Sequence, residues 1–486
     1  MRKKARFGFM VLLTALFAMN RHRFISGLFG LTFVLATVFM AACGGGATST
    51  PPANATTFAL TIHDNPPAGV TVLSFEIEIT GATLQPSNGS AVSLLTSPVE
   101  IELEKLQTNS AFLSTRGVDP GTYDSLTLTF ANPEMTILNQ SGQPIVIGTQ
   151  VCASGQICEL KPQLNMSSAK LSGTPFPLTV GADVPIGLAL DFDVNSSVQN
   201  NLSITPTLTA TQATVAADGE LEEEQDLKGQ ITAVGSGQFT LQDDTSGRSF
   251  TINVTSNTEF KDFSEIGCTT NDFSCVKSGQ IVQVDFALMG TGILQAKEVK
   301  LEENVNEQEL EGTVVSINAA GNQFQVVVVD EEPVANSAPV GSVVTVNIQA
   351  GASFQVENDG LNIPSGLSFA SVNDLLVGQD IDIRALSVSS GVGGSSANTD
   401  RVRLRASQIS GKVSAVSAPN FDMSNLNSLF TGAGITQIQV QTSSATGFEG
   451  VASVSGLNVN DAVSAEGLLF RTAGDPALIA KEVRKR

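Results

Sequence analysis

The chain has 486 residues, of which 42% are hydrophobic and 15% charged, and its formal net charge is −21. So much apolar sequence excludes a disordered chain and is enough for roughly three or four domains. The acidic charge argues against nucleic-acid binding, because phosphate contacts need a basic surface.

The first 42 residues contain two apolar runs, 7–19 and 24–42, and basic residues precede each of them. A basic segment, an apolar segment and small residues before a cleavage point are typical of an export signal. We therefore predict a signal peptide over 1–42, and a start at Met19 would already give a complete one. Two membrane spans are the alternative, although each run is at or below the roughly 20 residues that a span needs.

The signal ends in the sequence Phe39-Met40-Ala41-Ala42-Cys43-Gly44. This stretch resembles the bacterial lipobox, except that Met40 stands where Leu is commoner. The resemblance implies that Cys43 is acylated and becomes the mature N-terminus, and several acyl chains would anchor the protein stably to a membrane. Ordinary cleavage that leaves a free Cys43 is the alternative.

The residues after Cys43 extend these expectations. Gly44 stands where an inner-membrane lipoprotein of Gram-negative bacteria would carry Asp, so the same resemblance implies sorting to the outer membrane. We expect 43–57 to form the lipidated cysteine and a flexible linker, and the rest of the chain to lie outside the cytoplasm.

Besides Cys43, the chain has two closely spaced cysteine pairs: Cys152 with Cys158, and Cys268 with Cys275. In an oxidising compartment close pairs indicate disulfides. Metal binding and free thiols are the alternatives. The metal alternative is weaker because no His lies nearby and the spacing is not Cys-x-x-Cys.

Residues 58–213 show the alternation of apolar and polar residues that predicts half-buried strands. The clearest runs are 58–62, 72–79, 99–103, 125–130 and 186–194. Several short strands in one domain favour a β-sandwich. Asp119-Pro120-Gly121-Thr122-Tyr123 resembles the corner of transthyretin-like sandwiches, which implies a structural role in which Tyr123 packs its ring and bonds its hydroxyl to the backbone.

The second half of the chain is an internal repeat. Three segments, 226–302, 308–406 and 407–486, share a start, a Phe after the first strand, and a final strand. The shared starts are Leu227-Lys-Gly-Gln-Ile231, Leu310-Glu-Gly-Thr-Val314 and Ile409-Ser-Gly-Lys-Val413. About 75–100 residues per copy suit a small β-barrel of four or five strands, which leaves no open sheet edge. The predicted fold class is therefore all-β: an N-terminal transthyretin-like β-sandwich followed by three tandem small β-barrels.

This arrangement resembles uncharacterised bacterial envelope lipoproteins that carry an N-terminal sandwich domain of unknown function and repeated small barrels. The resemblance rests on Asp119 to Tyr123, on Leu190-Asp-Phe-Asp193 and on the repeats. It implies OB-like barrels and covers nearly all of the mature chain. It implies no known activity.

Residues able to support catalysis are scarce. The two His are His22, inside the predicted signal, and His63, so a zinc enzyme or a His-based triad is not expected. The sequence has no His-Glu-x-x-His, no phosphate-binding Gly-x-x-x-x-Gly-Lys and no Gly-x-Ser-x-Gly. We therefore predict that the protein is not an enzyme and needs no cofactor.

One set of oxygen ligands could hold a hard cation such as Ca²⁺. Asp191, Asp193 and Asn195 alternate along a predicted strand and would project from one face. The alternative, a solvated outer face of the sandwich, is the reading that we prefer.

From sequence alone we expect a monomeric, non-catalytic, membrane-anchored lipoprotein that binds or scaffolds a protein or an envelope polymer, and does not bind nucleic acid. A carboxylate-dependent extracytoplasmic hydrolase and a Ca²⁺-dependent adhesion or surface protein are the alternatives. We expect the sandwich near the membrane and the barrels further out.

Overall fold

The structure is a computed structural model that describes residues 56–65, 71–106, 111–182, 186–213, 227–243, 247–289, 293–303, 308–332, 337–358, 360–391 and 394–485. All of these residues belong to one unit, Asn54–Arg486. The predicted signal peptide and Cys43 lie outside the described residues. Within the described ranges, no helix has the length and apolar character that crossing a membrane requires.

The described chain is nearly all β, which confirms the predicted fold class. The strands of the N-terminal region are β1 Thr56–Asn65, β2 Thr71–Pro86, β3 Val92–Ser93, β4 Val99–Glu102, β5 Ala111–Val118, β6 Gly121–Leu138, β7 Ile145–Ile147, β8 Gln150–Cys152, β9 Ile157–Leu160, β10 Ser168–Leu171, β11 Leu178–Val180, β12 Ile186–Asp193 and β13 Leu208–Ala213. Helix α1, Val194–Ser197, follows β12. Since β1 begins at Thr56, the last two residues of the predicted linker belong to a strand.

These strands form two main sheets over one core. The smaller sheet has the order β13-β12-β1-β5, and the larger has the order β10-β6-β2-β3, with β11 and β9 also on β6 and β4 also on β2. Phe192 of the smaller sheet meets Phe75 and Phe130 of the larger one edge-on, at centroid distances of 6.1 and 5.9 Å. The region is therefore a β-sandwich, whereas its transthyretin-like character stays a prediction.

The second half contains three related barrels. Their strands are β14 Leu227–Val234, β15 Gln238–Asp243, β16 Ser249–Asn253, β17 Glu259–Lys261, β18 Ile281–Met289 and β19 Ile293–Glu303 in the first; β20 Glu309–Asn318, β21 Gln323–Glu332, β22 Val343–Val356, β23 Asp380–Gly391 and β24 Gly394–Leu404 in the second; and β25 Ala406–Ser417, β26 Asn420–Ser424, β27 Gln437–Gln441, β28 Gly447–Glu449, β29 Ala462–Phe470 and β30 Ala477–Lys485 in the third. Helix α2, Ser428–Gly432, lies between β26 and β27.

Short 3-10 turns complete the fold. They are Glu104–Leu106, Phe263–Ile266, Phe273–Cys275, Ala319–Gly321, Val372–Asp374 and Val454–Gly456.

The second barrel is a closed ring in the order β20-β21-β22-β24-β23. The first and third repeats have six strands each, and a parallel pairing of β16 with β19, or of β27 with β30, likewise returns the sheet on itself. In these two repeats, a pair of short strands takes the place of the single long strand β22. One ring of pairings therefore recurs three times.

The glycine shared by the three repeat starts has a steric cause. A Cβ added at Gly229 would lie 1.9 Å from the carbonyl oxygen of Gln242, and one at Gly312 would lie 2.5 Å from that of Val327. Only glycine lets the first two strands of these barrels cross so closely.

All three barrels contact the sandwich. Phe112 packs against Phe250 and Phe286 of the first barrel, at centroid distances of 5.5 and 5.3 Å. The hydroxyl of Thr136 donates a 2.6 Å hydrogen bond to the carbonyl oxygen of Gly341 in the second barrel. The third barrel contacts the sandwich through Leu429 of α2, as described next. The expectation that the barrels extend away from the sandwich is therefore wrong.

Leu429 belongs to a small cluster of buried side chains that we call the junction core. Its other buried members are Leu73 and Leu138 of the sandwich, and Val315 and Val327 of the second barrel. Three parts of the chain thus share one apolar contact.

The second and third barrels are joined most closely. Arg405 alone separates Leu404, the end of β24, from Ala406, the start of β25. Leu468 and Phe470 of the third barrel pack into the core of the second. The two barrels therefore form a continuous pair.

Candidate functional site

A cleft of about 120 Å³ lies where the larger sheet of the sandwich meets the second barrel. Strands β2, β6, β8 and β9 supply one wall, and Val340 with Gly341 supplies the other. The lining residues are Ser74, Glu76, Glu134, Met135, Thr136, Gln150, Glu159, Leu160, Lys161, Val340 and Gly341. Three carboxyl groups and one ammonium group therefore face a shared space.

Strand register brings the acidic residues together. Glu76 of β2 lies opposite Glu102 of β4 on one side and opposite Glu134 of β6 on the other. Residues directly opposite in an antiparallel pair have neighbouring side chains. Glu102 is buried and accepts a 2.7 Å hydrogen bond from the backbone N–H of Phe75.

Glu76 is the most perturbed acid of the cleft. Burial, followed by the nearby charges of Glu100, Glu102 and Glu134, raises its pKa from 4.5 to about 8, while Lys161 acts in the opposite direction. At neutral pH this side chain is therefore mainly a neutral acid, which can donate a hydrogen bond.

Lys161 forms an ion pair with Glu134 at the rim of the cleft. The hydrogen bond with Glu134 and its charge raise the pKa of Lys161. Lys161 is largely exposed, so we assign no stabilisation to this pair.

Ser74 lies deeper in the cleft than Lys161. It is 1% exposed, and its hydroxyl makes no hydrogen bond with any residue that the structure describes. It precedes Glu76 by two positions on β2, so both project from the same face of the sheet.

A second charged cluster lies between the first and second barrels, and we call it the ionic seam. Arg403 contacts Asp382 at 2.6 Å and Glu309 at 3.0 Å, and Arg405 contacts Glu357 at 2.7 Å. From the first barrel, Lys300 approaches Glu357 at 3.9 Å and is paired with Glu302 at 2.8 Å.

Burial dominates the seam's titration. It raises the pKa of Asp382 to about 6, although Arg403 and Arg405 act to lower it. Burial also opposes the charge of Arg405, but Glu311, Glu357 and Asp382 outweigh it and hold the pKa above its usual range. The space among these side chains is only about 10 Å³, roughly what one water needs. The seam is therefore a structural contact between barrels.

Both predicted disulfides are confirmed. Cys152 is bonded to Cys158 and Cys268 to Cys275, each pair with a Cα–Cα distance of 5.8 Å. Each bond closes a short loop, the first in the sandwich and the second in the first barrel.

The predicted oxygen ligands of Ca²⁺ do not share one strand. Strand β12 ends at Asp193, and Asn195 lies in helix α1, so the expectation that all three alternate along a strand is wrong. Asp193 ends the strand because it caps the helix, accepting from the backbone N–H of Ser196 at 2.9 Å and from its hydroxyl at 2.6 Å. Asp191 is half-buried on β12. Among the described residues, no three His, Cys, Asp or Glu side chains are placed to hold a metal ion.

Tyr123 is buried at the start of β6, and its hydroxyl donates a 2.7 Å hydrogen bond to the carbonyl oxygen of Asp119. Burial and Asp119 raise the pKa of Tyr123. The side chain thus ties the turn before β6 to the strand itself.

The sequence analysis missed the cleft. Glu76 and Glu134 appear in the sequence as ordinary polar positions of alternating strands, and only the pairing of β2 with β6 places them side by side. Lys161 follows β9, whose pairing with β6 brings it to Glu134. The available signal was the density of Glu on strands that alternate with buried residues.

Two family models match parts of the chain. One is a domain of unknown function (DUF4382), which matches residues 55–207 and thus the sandwich. The other is a domain of unknown function (DUF5666), which matches residues 228–300 and thus the first barrel. A search of curated proteins found no match to the chain.

Proposed function

We propose that the protein is a non-catalytic, membrane-anchored lipoprotein of the cell envelope that binds or scaffolds a protein or an envelope polymer. The observation that carries this proposal is the attachment of all three barrels to one sandwich through buried contacts. Such contacts hold several binding surfaces in fixed relation, which suits a scaffold.

Two features support an address outside the cytoplasm. The disulfides Cys152–Cys158 and Cys268–Cys275 are of the kind that persists in oxidising compartments. The lipobox-like sequence before Cys43 supports acylation there, and Gly44 supports sorting to the outer membrane.

We further propose that the three barrels are of the OB type. The closed five-stranded ring of the second barrel, and the same ring of pairings in the other two, support this assignment. OB-type barrels commonly bind oligomers on one sheet face and its loops. The net charge of −21 disfavours nucleic acid as that oligomer.

The anchor is tested by blocking lipoprotein processing in cells with globomycin and by the variant Cys43→Ala. We expect accumulation of the precursor in the first case and release from the membrane fraction in the second. Unchanged processing together with a membrane-bound Cys43→Ala protein would contradict the anchor.

The binding role is tested by crosslinking in intact cells, followed by purification and mass spectrometry. We expect the wild-type protein to carry a reproducible crosslinked species that a reductively unfolded control does not. The absence of any such species across crosslinkers of different reach would contradict a binding or scaffolding role.

The cleft favours one alternative, an extracytoplasmic hydrolase. A neutral Glu76 beside an ionised Glu134 is the arrangement that acid–base catalysis uses. The volume of about 120 Å³ is small beside the roughly 300 Å³ or more of typical ligand pockets, which is why we prefer a binding role. Hydrolysis of any substrate by the wild type and its loss in Glu76→Gln would support the alternative.

A further inference from the structure

We propose that the cleft between the sandwich and the second barrel binds the side-chain ammonium of a lysine on a partner protein. This proposal rests on the proposed binding function and specifies the chemistry of the partner. Its volume of about 120 Å³ suits one side chain better than the repeating unit of a polymer.

The charge of the cleft selects a cation. Glu76, Glu134 and Glu159 line it against the single cation Lys161, and Glu100 and Glu102 lie close behind Glu76. Lys161 pairs with Glu134 at the rim, which leaves Glu76 and Glu159 facing the interior. An incoming positive group would therefore relieve repulsion among the acids that line the cleft.

Ser74 is an independent sign of a ligand. A serine that is 1% exposed ordinarily has a hydrogen-bond partner, yet the hydroxyl of Ser74 has none among the described residues and lies in the lining of the cleft. It faces Gly341, because a Cβ added to that glycine would lie 3.5 Å from Ser74 Oγ.

These groups match an ammonium better than a metal ion. An ammonium has three N–H donors, and Glu76, Glu159 and Ser74 offer three acceptors on one side of the cleft. No three acidic side chains of the described chain are placed to hold a metal ion. The ammonium of Lys161 already contacts Glu134 on the same sheet face.

Binding should release a proton. The charged groups that face Glu76 are Glu100 and Glu102 on β4, Glu134 on β6 and Lys161 after β9, and the second barrel contributes the uncharged Val340 and Gly341. A bound ammonium favours the carboxylate form, so neutral Glu76 plus the ammonium gives the ion pair plus one free proton. Affinity should therefore rise with pH up to the pKa of about 8.

The first test is calorimetric titration of the full chain in detergent with Nα-acetyl-lysine amide at pH 6, 7 and 8. The control probe is Nα-acetyl-norleucine amide, which lacks the ammonium. We expect the lysine probe alone to bind, at least about tenfold more tightly at pH 8 than at pH 6.

Three variants complete this test. Glu76→Gln, which resembles the protonated acid, should weaken binding about tenfold at pH 8 and remove its pH dependence, and Ser74→Ala should weaken it about threefold or more. Glu78→Gln is the matched control, since Glu78 is on the same face of β2, bonded to Asn132 at 2.7 Å and outside the cleft. Equal binding of both probes, no binding, or unchanged binding by Glu76→Gln with an unchanged melting curve would overturn the proposal.

The second test uses a carbodiimide in intact cells, because this reagent joins carboxyl groups directly to amines. We expect crosslinked peptides that join Glu76 or Glu159 to a lysine of another protein, and their loss in Ser74→Ala. If other crosslinkers capture a partner but no such peptide forms, the lysine proposal fails while the binding function stands. A captured species that survives proteinase digestion would overturn a protein partner in favour of a polymer.

Discussion

The backbone N–H of Ser428, at the start of helix α2, donates a 3.0 Å hydrogen bond to the hydroxyl of Thr71, at the start of strand β2. The two residues are 357 positions apart, and their hydroxyl groups are also in contact. Beside them, Leu429 enters the junction core. The last barrel is thus fastened to the first strand of the larger sheet by a polar and an apolar contact together.

This contact predicts that the sandwich and the third barrel unfold together. Leu429→Ala removes a buried side chain from the junction core, and we expect a loss of about 2–4 kcal/mol in the free energy of unfolding. Urea denaturation followed by circular dichroism measures it. Leu386→Ala, at a side chain that is 48% exposed, is the control and should cost less than about 0.5 kcal/mol. Equal losses in the two variants would contradict the junction.

The ionic seam predicts a large difference between two arginines of one barrel. Arg403→Met leaves the buried acids Glu309 and Asp382 without a close partner and should cost about 3–5 kcal/mol. Arg384→Met breaks a pair with Asp400 that is about one-third exposed on both sides, at 2.7 Å, and should cost no more than about 1 kcal/mol. Chemical denaturation of the two variants compares them directly. A seam without structural importance would give similar values.

The cleft predicts a pH dependence of stability. The folded state holds the proton of Glu76 more tightly than the unfolded state, because its pKa is about 8 rather than 4.5. This contribution is complete below the unfolded value and is lost as pH rises through the folded one. We expect a loss on the order of 1–2 kcal/mol for this group, since solvent in the open cleft screens the charge.

Melting curves between pH 5 and pH 8.5 check this expectation. Glu76→Gln should lose less stability over that range than the wild type, whereas Glu78→Gln should behave like the wild type. Glu482 of the third barrel acts in the same direction, because burial raises its pKa to about 7, so some dependence should remain in Glu76→Gln. A Glu76→Gln curve that parallels the wild-type curve would count against the perturbed acid.

The sandwich disulfide predicts a modest stabilisation. Cys152 and Cys158 are six positions apart, and closing so short a loop restricts the unfolded chain by about 2 kcal/mol. The double variant Cys152→Ser with Cys158→Ser should lose about that much in urea denaturation. Alkylation of the exported wild type should modify these sulfurs only after reduction; modification before reduction would mean that the bond is absent.

The sequence predicts most of the local structure because alternation and turn residues are local signals. Strand β12 shows this well, since Leu188, Leu190 and Phe192 are buried where the pattern places them. Its end was predicted wrongly, because the pattern continues to Val194, whereas the capping side chain of Asp193 starts a helix there. Hydrogen bonds of one side chain thus decide a boundary that hydrophobicity does not mark.

The cleft and the junction core could not be predicted, because both depend on pairings between distant parts of the chain. Neighbouring Glu76 and Glu134 requires the register of β2 against β6, which a sequence pattern with period two leaves open. Leu429 looks like a core residue of its own barrel, and nothing local indicates that it packs against Leu73. The repeats were predictable for the opposite reason, since a strand crossing that admits only glycine leaves the same mark in each copy.

The single-residue connection at Arg405 has a mechanical consequence. Its backbone N–H donates to the carbonyl oxygen of Asp380 at 2.9 Å, and its guanidinium is held by Glu357, so this connection contains no slack. A pull on the C-terminal end of the chain would travel as shear from β25 into β24 instead of being absorbed by a loose tether. Extra glycines placed after Arg405 would act as a fuse, and single-molecule stretching would record them as an early extension at low force.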